Sequence, residues 1–185
     1  DTGGGIKRAA SLFNRQLPVL IHNVDILSNV DLAAFYRHAL EINVDALLLV
    51  SRRVTQRYLI FDSNMRLVGW TNVATGEVKS PHDEIRQLHF VSPTEAESSY
   101  FQHSCYLCAF SGIHVLAPSA VQAVEAVDED KFPIMEFYLN NCDRLDIRGE
   151  LKTDLHLLDV GKLNSLQAAE DFIVNSEYRS SKTEN

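Results

Sequence analysis

The 185 residues carry 17 Lys+Arg against 25 Asp+Glu, a formal charge of −8 with histidines neutral. Apolar residues make up 45% and charged residues 23%, which excludes a wholly disordered chain and supplies the core of one ordinary domain. The acidic balance speaks against a nucleic-acid binder, and no run approaches the roughly 18 apolar residues of a membrane-spanning helix.

Asp1-Thr2-Gly3-Gly4-Gly5 reads as a loop, with a short helix from Ile6 to Phe13 behind it. A glycine loop feeding a helix normally follows a strand, so the pattern predicts a further piece upstream of Asp1. No secretory signal precedes this first element. Pro18 to Asn23 is a short apolar run with a polar end, a buried strand that delivers Asn23-Val24-Asp25 to its tip. Asp31 caps a helix from Leu32 to Ile42, with Leu32, Phe35, Tyr36 and Ala39 on one face. Ala46 to Val50 is unbroken in its hydrophobicity, as parallel strands are. Tyr58–Phe61 and Leu67–Trp70 flank Asp62-Ser63-Asn64 as a hairpin. Ser80 to Glu97 reads as a loop with a short helical turn, and Tyr106 to Leu116 as a long strand. Ser119–Val127 and Pro133–Asn141 read as helices, Arg144–Arg148 and Leu155–Leu158 as strands, and Ser165–Val174 as a last helix. The alternation predicts an α/β fold with a mixed, mainly parallel sheet and helices on both faces. Residues 1–175 form one domain and 176–185 a polar tail.

Four features bear on chemistry. Gly3-Gly4-Gly5 before a helix permits close approach of a phosphate to backbone amides, or else makes a tight turn. It is not a dinucleotide fingerprint, since G-x-G-x-x-G and its upstream strand are missing. Asp25 at a strand tip suits a metal ligand or a turn cap, because α/β sheets bind ligands beyond the carboxyl ends of their strands. Leu157-Leu158-Asp159-Val160-Gly161 delivers a second aspartate in the same way. Two such carboxylates suit a hard divalent cation such as Mg²⁺. The fourth feature, His103 with Cys105 and Cys108, invites a zinc reading. It lacks a second ligand pair, and strand parity sends the two cysteines to opposite faces. With Cys142 the cysteines number three, too few for a disulfide framework, which points to a reducing cytoplasm.

Thr2-Gly3-Gly4-Gly5-Ile6, Leu20-Ile21-His22-Asn23-Val24-Asp25-Ile26-Leu27, Ala109-Phe110-Ser111-Gly112-Ile113-His114-Val115-Leu116 and Leu158-Asp159-Val160-Gly161 follow one another in a familiar order and spacing. Through them the chain resembles the sugar-1-phosphate nucleotidyltransferase family from Thr2 to about Phe172. Its mannose-1-phosphate guanylyltransferase-like and N-acetylmuramate-1-phosphate uridylyltransferase-like members are the nearest in pattern. The resemblance implies a Rossmann-like, GT-A-like fold. It implies that a sugar-1-phosphate oxygen attacks the α-phosphorus of a nucleoside triphosphate and that pyrophosphate leaves. By the same resemblance Asp25 and Asp159 are the catalytic pair holding Mg²⁺. Gly3, Gly4, Gly5 and Asn23 serve the nucleotide, and Ser111 and Gly112 the sugar.

Three departures accompany it. The family's glycine-rich loop with its arginine and lysine is absent from these residues. Val24 stands where glycine is common, and no Glu-Lys-Pro segment is present. Arg52, Arg53 and Arg57 are the available replacements for that positive charge, with Arg57 as the phosphate candidate. The expectation is therefore a truncated nucleotidyltransferase chain, inactive alone for want of its triphosphate loop. The competing expectation is a catalytically silent homologue that binds a sugar nucleotide or regulates a partner.

Overall fold

The computed structural model of the chain describes residues 1–94, 96–161, 169–172 and 174. The expected tail, 176–185, lies outside the described residues, and of the expected last helix the described part is helical. No helix among the described residues is long and apolar enough to cross a membrane.

The sheet is organised by two strands, β3 (Ala46–Ser51) and β8 (Cys105–Leu116). Every residue of β3 is buried. Strand alternation sends Ala46, Leu48 and Val50 to one face and Leu47 and Leu49 to the other. On the first face they meet Ile6 of α1 (Thr2–Ala9), Val124 of α4 (Pro118–Glu125) and Phe137 of α5 (Ile134–Asn141). On the second they meet Phe35 and Ala39 of α2 (Leu32–Ile42). Helices on both faces explain why the run is unbroken. Helix α2 begins where Asp31 Oδ1 accepts the Ala34 N–H (2.9 Å) and ends at Asn43 with φ 50.

The eight-stranded sheet has the order β6-β5-β4-β8-β3-β9, with β1 and β7 also on β8. The remaining strands are β1 (Val19–His22), β4 (Arg57–Phe61), β5 (Leu67–Asn72), β6 (Glu77–Lys79), β7 (Phe101–Gln102) and β9 (Ile147–Leu151). The sheet is mixed, as expected, but the mainly parallel part of the expectation is corrected. The parallel pair among the described strands is β3–β9, while β1, β3, β4 and β7 all run antiparallel to β8. Unbroken hydrophobicity reports burial on both faces and is blind to the direction of the neighbour. The expected hairpin is present as β4–β5, its turn fixed by Asp62 Oδ1 accepting the Asn64 and Arg66 N–H groups (2.8 and 2.9 Å). Cys105 and Cys108 enter different core clusters, consistent with their parity along β8.

A short antiparallel pair was not expected. Strand β2 (Ile26–Ser28) pairs with β10 (Leu157–Asp159), each only three residues long and too short to show a period. Strand β9 begins later than expected, because the Arg144 and Leu145 N–H groups still bond Asn141 O in the turn that ends α5.

The glycine segment is also corrected. Gly3, Gly4 and Gly5 belong to α1, not to a loop before it. Gly4 N–H donates to Phe132 O (3.3 Å), and a Cβ on Gly4 would lie 2.4 Å from Asp130 O. A Cβ on Gly3 would lie 2.4 Å from the Phe132 ring, whereas one on Gly5 would meet nothing within 4 Å. Close packing of the 130–132 segment, not a turn, explains the first two glycines. Adjacent substitutions should therefore have opposite signs. Gly4→Ala is expected to destabilise by about 1–3 kcal/mol through overpacking. Gly5→Ala should stabilise by roughly 0.5–1 kcal/mol through lost backbone entropy of the unfolded chain. Urea denaturation of both variants checks this, and equal effects would contradict the packing account.

Candidate functional site

Strand β1 ends at His22, and the Asn23 N–H then donates to Gly112 O (3.0 Å). Asn23 O accepts the Ile26 N–H (3.2 Å), closing a turn that leaves Val24 fully exposed and puts Asp25 at the surface. From there β2 runs back along β10. Their register sets Asp159 opposite Ile26, and the Val160 N–H donates to Asp25 O (2.8 Å). The two aspartates, remote in sequence, thus become neighbours.

Gly161 shows how their side chains are aimed. A Cβ on Gly161 would lie 3.1 Å from Asp25 Oδ2 and 3.2 Å from Asp159 Oδ1. Both carboxylates flank one point on the surface. Asp159 Oδ1 also accepts the Gly161 N–H (3.0 Å). Among the described residues neither carboxylate forms an ion pair with Lys or Arg. Two unneutralised carboxylates side by side suit a divalent cation electrostatically. No group of three or more His, Cys, Asp or Glu ligands gathers among the described residues. A pair of carboxylates fits Mg²⁺ all the same, since Mg²⁺ commonly takes one or two carboxylates and completes its shell with water and substrate phosphates.

Beneath this surface β8 carries a bulge. Between the pairs Leu48–His114 and Val50–Phe110, one residue of β3 faces three of β8. Gly112 sits in the bulge with φ 80, and a Cβ there would lie 2.8 Å from Asn23 Nδ2. Ser111 is buried, and its Oγ donates to Leu49 O (2.7 Å). Gly112 therefore forms the floor on which Asn23 rests, and the Ser111 hydroxyl is turned into the sheet. Arg57, the sequence-based phosphate candidate, lies in a separate crevice of about 250 Å³ with Arg53, Thr55 and Trp70. Gly3 and Gly4 are packed under the 130–132 segment.

The structure thus brings Asn23, Asp25, Gly112 and Asp159 together and adds Gly161. The signal for Gly161 was its place two residues after a strand-tip aspartate. Among the described glycines only Gly76 and Gly112 have positive φ, so Gly161→Ala strains no backbone. Its methyl would crowd both carboxylates. It is expected to weaken Mn²⁺ binding by about 10-fold or more, with stability changed by less than about 0.5 kcal/mol. Unaltered Mn²⁺ affinity by electron paramagnetic resonance would contradict the geometry.

Solved structures share this architecture. HddC from Yersinia pseudotuberculosis superposes with a TM-score of 0.60 at 16% identity, over 92% of this chain and 62% of that one. A putative glucose-1-phosphate thymidylyltransferase from Bacillus anthracis, solved in complex with a sucrose, gives 0.59 at 11% identity, over 92% and 59%. The chain therefore spans about three fifths of the length of each. At this identity the likeness shows the fold, a mixed α/β nucleotidyltransferase fold. No protein-family model matches the chain, and neither does any curated protein.

Proposed function

We propose that the chain is a sugar-1-phosphate nucleotidyltransferase domain, in which Asp25 and Asp159 hold Mg²⁺ beside a nucleoside triphosphate and a sugar-1-phosphate. The observation that supports it most directly is the pair of carboxylates gathered around Gly161 at the tips of two strands. The nucleotidyltransferase fold of the structural neighbours supports the same reading. When bound, the cation supplies charge neutralisation for the phosphates of the reacting pair. The chain's own part is positioning. The β2–β10 pairing fixes both carboxylates, and the Gly161 N–H orients one of them. Asn23 packs its side chain against the Gly112 bulge, and its backbone closes the turn that carries Asp25.

The test is pyrophosphate release with Mg²⁺ over a panel of nucleoside triphosphates and sugar-1-phosphates, run beside calorimetric titration with nucleotide sugars. Turnover that depends on both Asp25 and Asp159 supports the proposal. In a chain extended upstream to carry the glycine-rich triphosphate loop, cation-dependent nucleotide-sugar binding without pyrophosphate release would assign a binding or regulatory role instead. Turnover that survives loss of either aspartate would move the site elsewhere.

A further inference from the structure

Strand β1 is bonded on one side. There it pairs with β8, in a register that runs from Val19–Leu116 to His22–Ile113. The Asn23 N–H bond to Gly112 O is the next step of the same register. Bonding alternates along an antiparallel pair, so the backbone groups of Val19, Ile21 and Asn23 face β8 and those of Leu20 and His22 face away. On that outer edge the Pro18 carbonyl accepts the Tyr36 hydroxyl (2.9 Å). The N–H and C=O groups of Leu20 and His22 have no partner among the described residues. Donors and acceptors thus line an open strand edge.

The edge is apolar on both faces. Leu20 packs with the core under α2, and Val19 and Ile21 pack with the core on the opposite face. All four residues of β1 are nonetheless only half-buried. Exposed apolar side chains stand at both ends of the strand, where Leu17 is 53% and Val24 100% exposed. On α2, Leu32 and Leu40 lie one turn to either side of Tyr36 and are exposed as well. Single exposed apolar residues are ordinary. A group of them around an unpaired apolar strand edge marks an interaction surface.

We propose that this edge is the seam of a two-fold symmetric dimer, closed by β1 of a second copy of the chain. Alternating donors and acceptors along an edge call for an extended backbone, and a second copy satisfies them completely. With the two strands antiparallel and Ile21 opposite Ile21, Leu20 and His22 of one copy face His22 and Leu20 of the other. Each such pair exchanges both of its N–H···O bonds, so every free group of both copies is used. The same register lays Leu17 and Pro18 beside Val24 of the other copy, at both ends of the seam, and so accounts for the exposure of Leu17 and Val24. The two-fold axis stands perpendicular to the sheet and keeps both α2 helices on one face, where their Leu32 and Leu40 stripes add apolar area. That area is needed, because a four-residue edge is only about 13 Å long and stable interfaces bury roughly 1,200–2,000 Å². Once the outer edge of β1 is paired the assembly closes at two copies.

The experiment is analytical ultracentrifugation of the 185-residue chain from about 1 to 200 μM, where interfaces of modest size dissociate, together with hydrogen exchange at the Leu20 and His22 amides. A reversible monomer–dimer equilibrium is expected, with both amides exchanging more slowly as the dimer fills. Leu17→Glu, at an exposed position, should leave the stability of the monomer unchanged. It should weaken dimerisation by at least about tenfold, because a carboxylate is desolvated at both ends of the seam. Adding Val24→Lys to Leu17→Glu should recover much of the loss, since the register brings each new charge to its opposite. A monomer throughout the range, species that grow beyond two copies, a dimer indifferent to Leu17→Glu, or no recovery in the double variant would overturn the proposal. Protection of the two amides in the monomer would overturn it as well, by assigning the edge to other residues of the same chain.

Discussion

Asp25→Asn and Asp159→Asn are each expected to abolish the rise in melting temperature that Mn²⁺ or Mg²⁺ gives the native chain. A cation bound only by the folded state adds RT ln(1 + [L]/Kd), about 2.7 kcal/mol at 100 times Kd. For a chain of 185 residues that corresponds to roughly 5–10 °C. Either substitution removes half of the protein's charge at the site. Without cations the effect should be small and of opposite sign. Both side chains are exposed and flank the same point, so neutralising one relieves repulsion and costs no packing. In a form of the chain that carries a triphosphate loop and turns over, Mg²⁺-dependent turnover should fall by at least about 10²-fold in each variant, the typical cost of losing one preorganised charge stabiliser. The double variant should be hardly worse than either single one, because the pair acts as a unit. Thermal scans with and without Mn²⁺ decide the matter. A cation-induced rise that persists in both single variants would place the ion elsewhere.

The second large effect is acid lability set by His114. The ring is fully buried on β8, edge-on to Phe110 and to Tyr138. Burial pushes the Tyr138 hydroxyl well above its usual range, so it keeps its proton and donates to His114 Nδ1. That leaves the imidazole proton on Nε2, which is buried without a partner. The same burial lowers the His114 pKa from 6.5 to about 3. Between those values the unfolded chain binds a proton that the folded chain refuses. The stability gained from this histidine is therefore complete above about pH 6.5 and is lost as pH falls toward 3. The slope is about 1.4 kcal/mol per pH unit, and the whole span is worth roughly 5 kcal/mol, comparable with the entire stability of many domains. His114→Asn retains a polar group near the Tyr138 hydroxyl and removes the titration. It should be the less stable protein at pH 7, yet its disadvantage should shrink by about 1.4 kcal/mol for each pH unit below 6.5. Urea midpoints at several pH values measure this, and parallel curves for the two proteins would refute it.

Where the physics is local, the sequence read correctly. Asp31 caps α2 because its carboxylate reaches an amide three residues on, and Asp62 closes the hairpin turn for a similar reason. Ala46 to Val50 announced burial on both faces, and parity separated Cys105 from Cys108. Each strand-tip aspartate was also legible, since an apolar run ending in a carboxylate is a local pattern. Other expectations failed where a distant segment decided the outcome. Three glycines suggest a loop by propensity, yet a helix formed because the 130–132 segment packs against the face without Cβ atoms. The family resemblance gives Ser111 to the sugar, a role its side chain's direction does not decide; the β8 bulge turns its hydroxyl toward Leu49 O. The direction of the strands beside β3 left no mark on its composition.

By itself, then, the sequence determined the types of the longer elements, the two-sided burial of the central strand and the strand-tip positions of Asp25 and Asp159, because periodicity, capping and side-chain chemistry act within a few residues. Only the tertiary structure decided that Asp25 and Asp159 meet at Gly161. Their meeting depends on pairing between short strands far apart in the chain. Strands of three residues carry too little pattern to declare a partner, and their register is set by the core they close over.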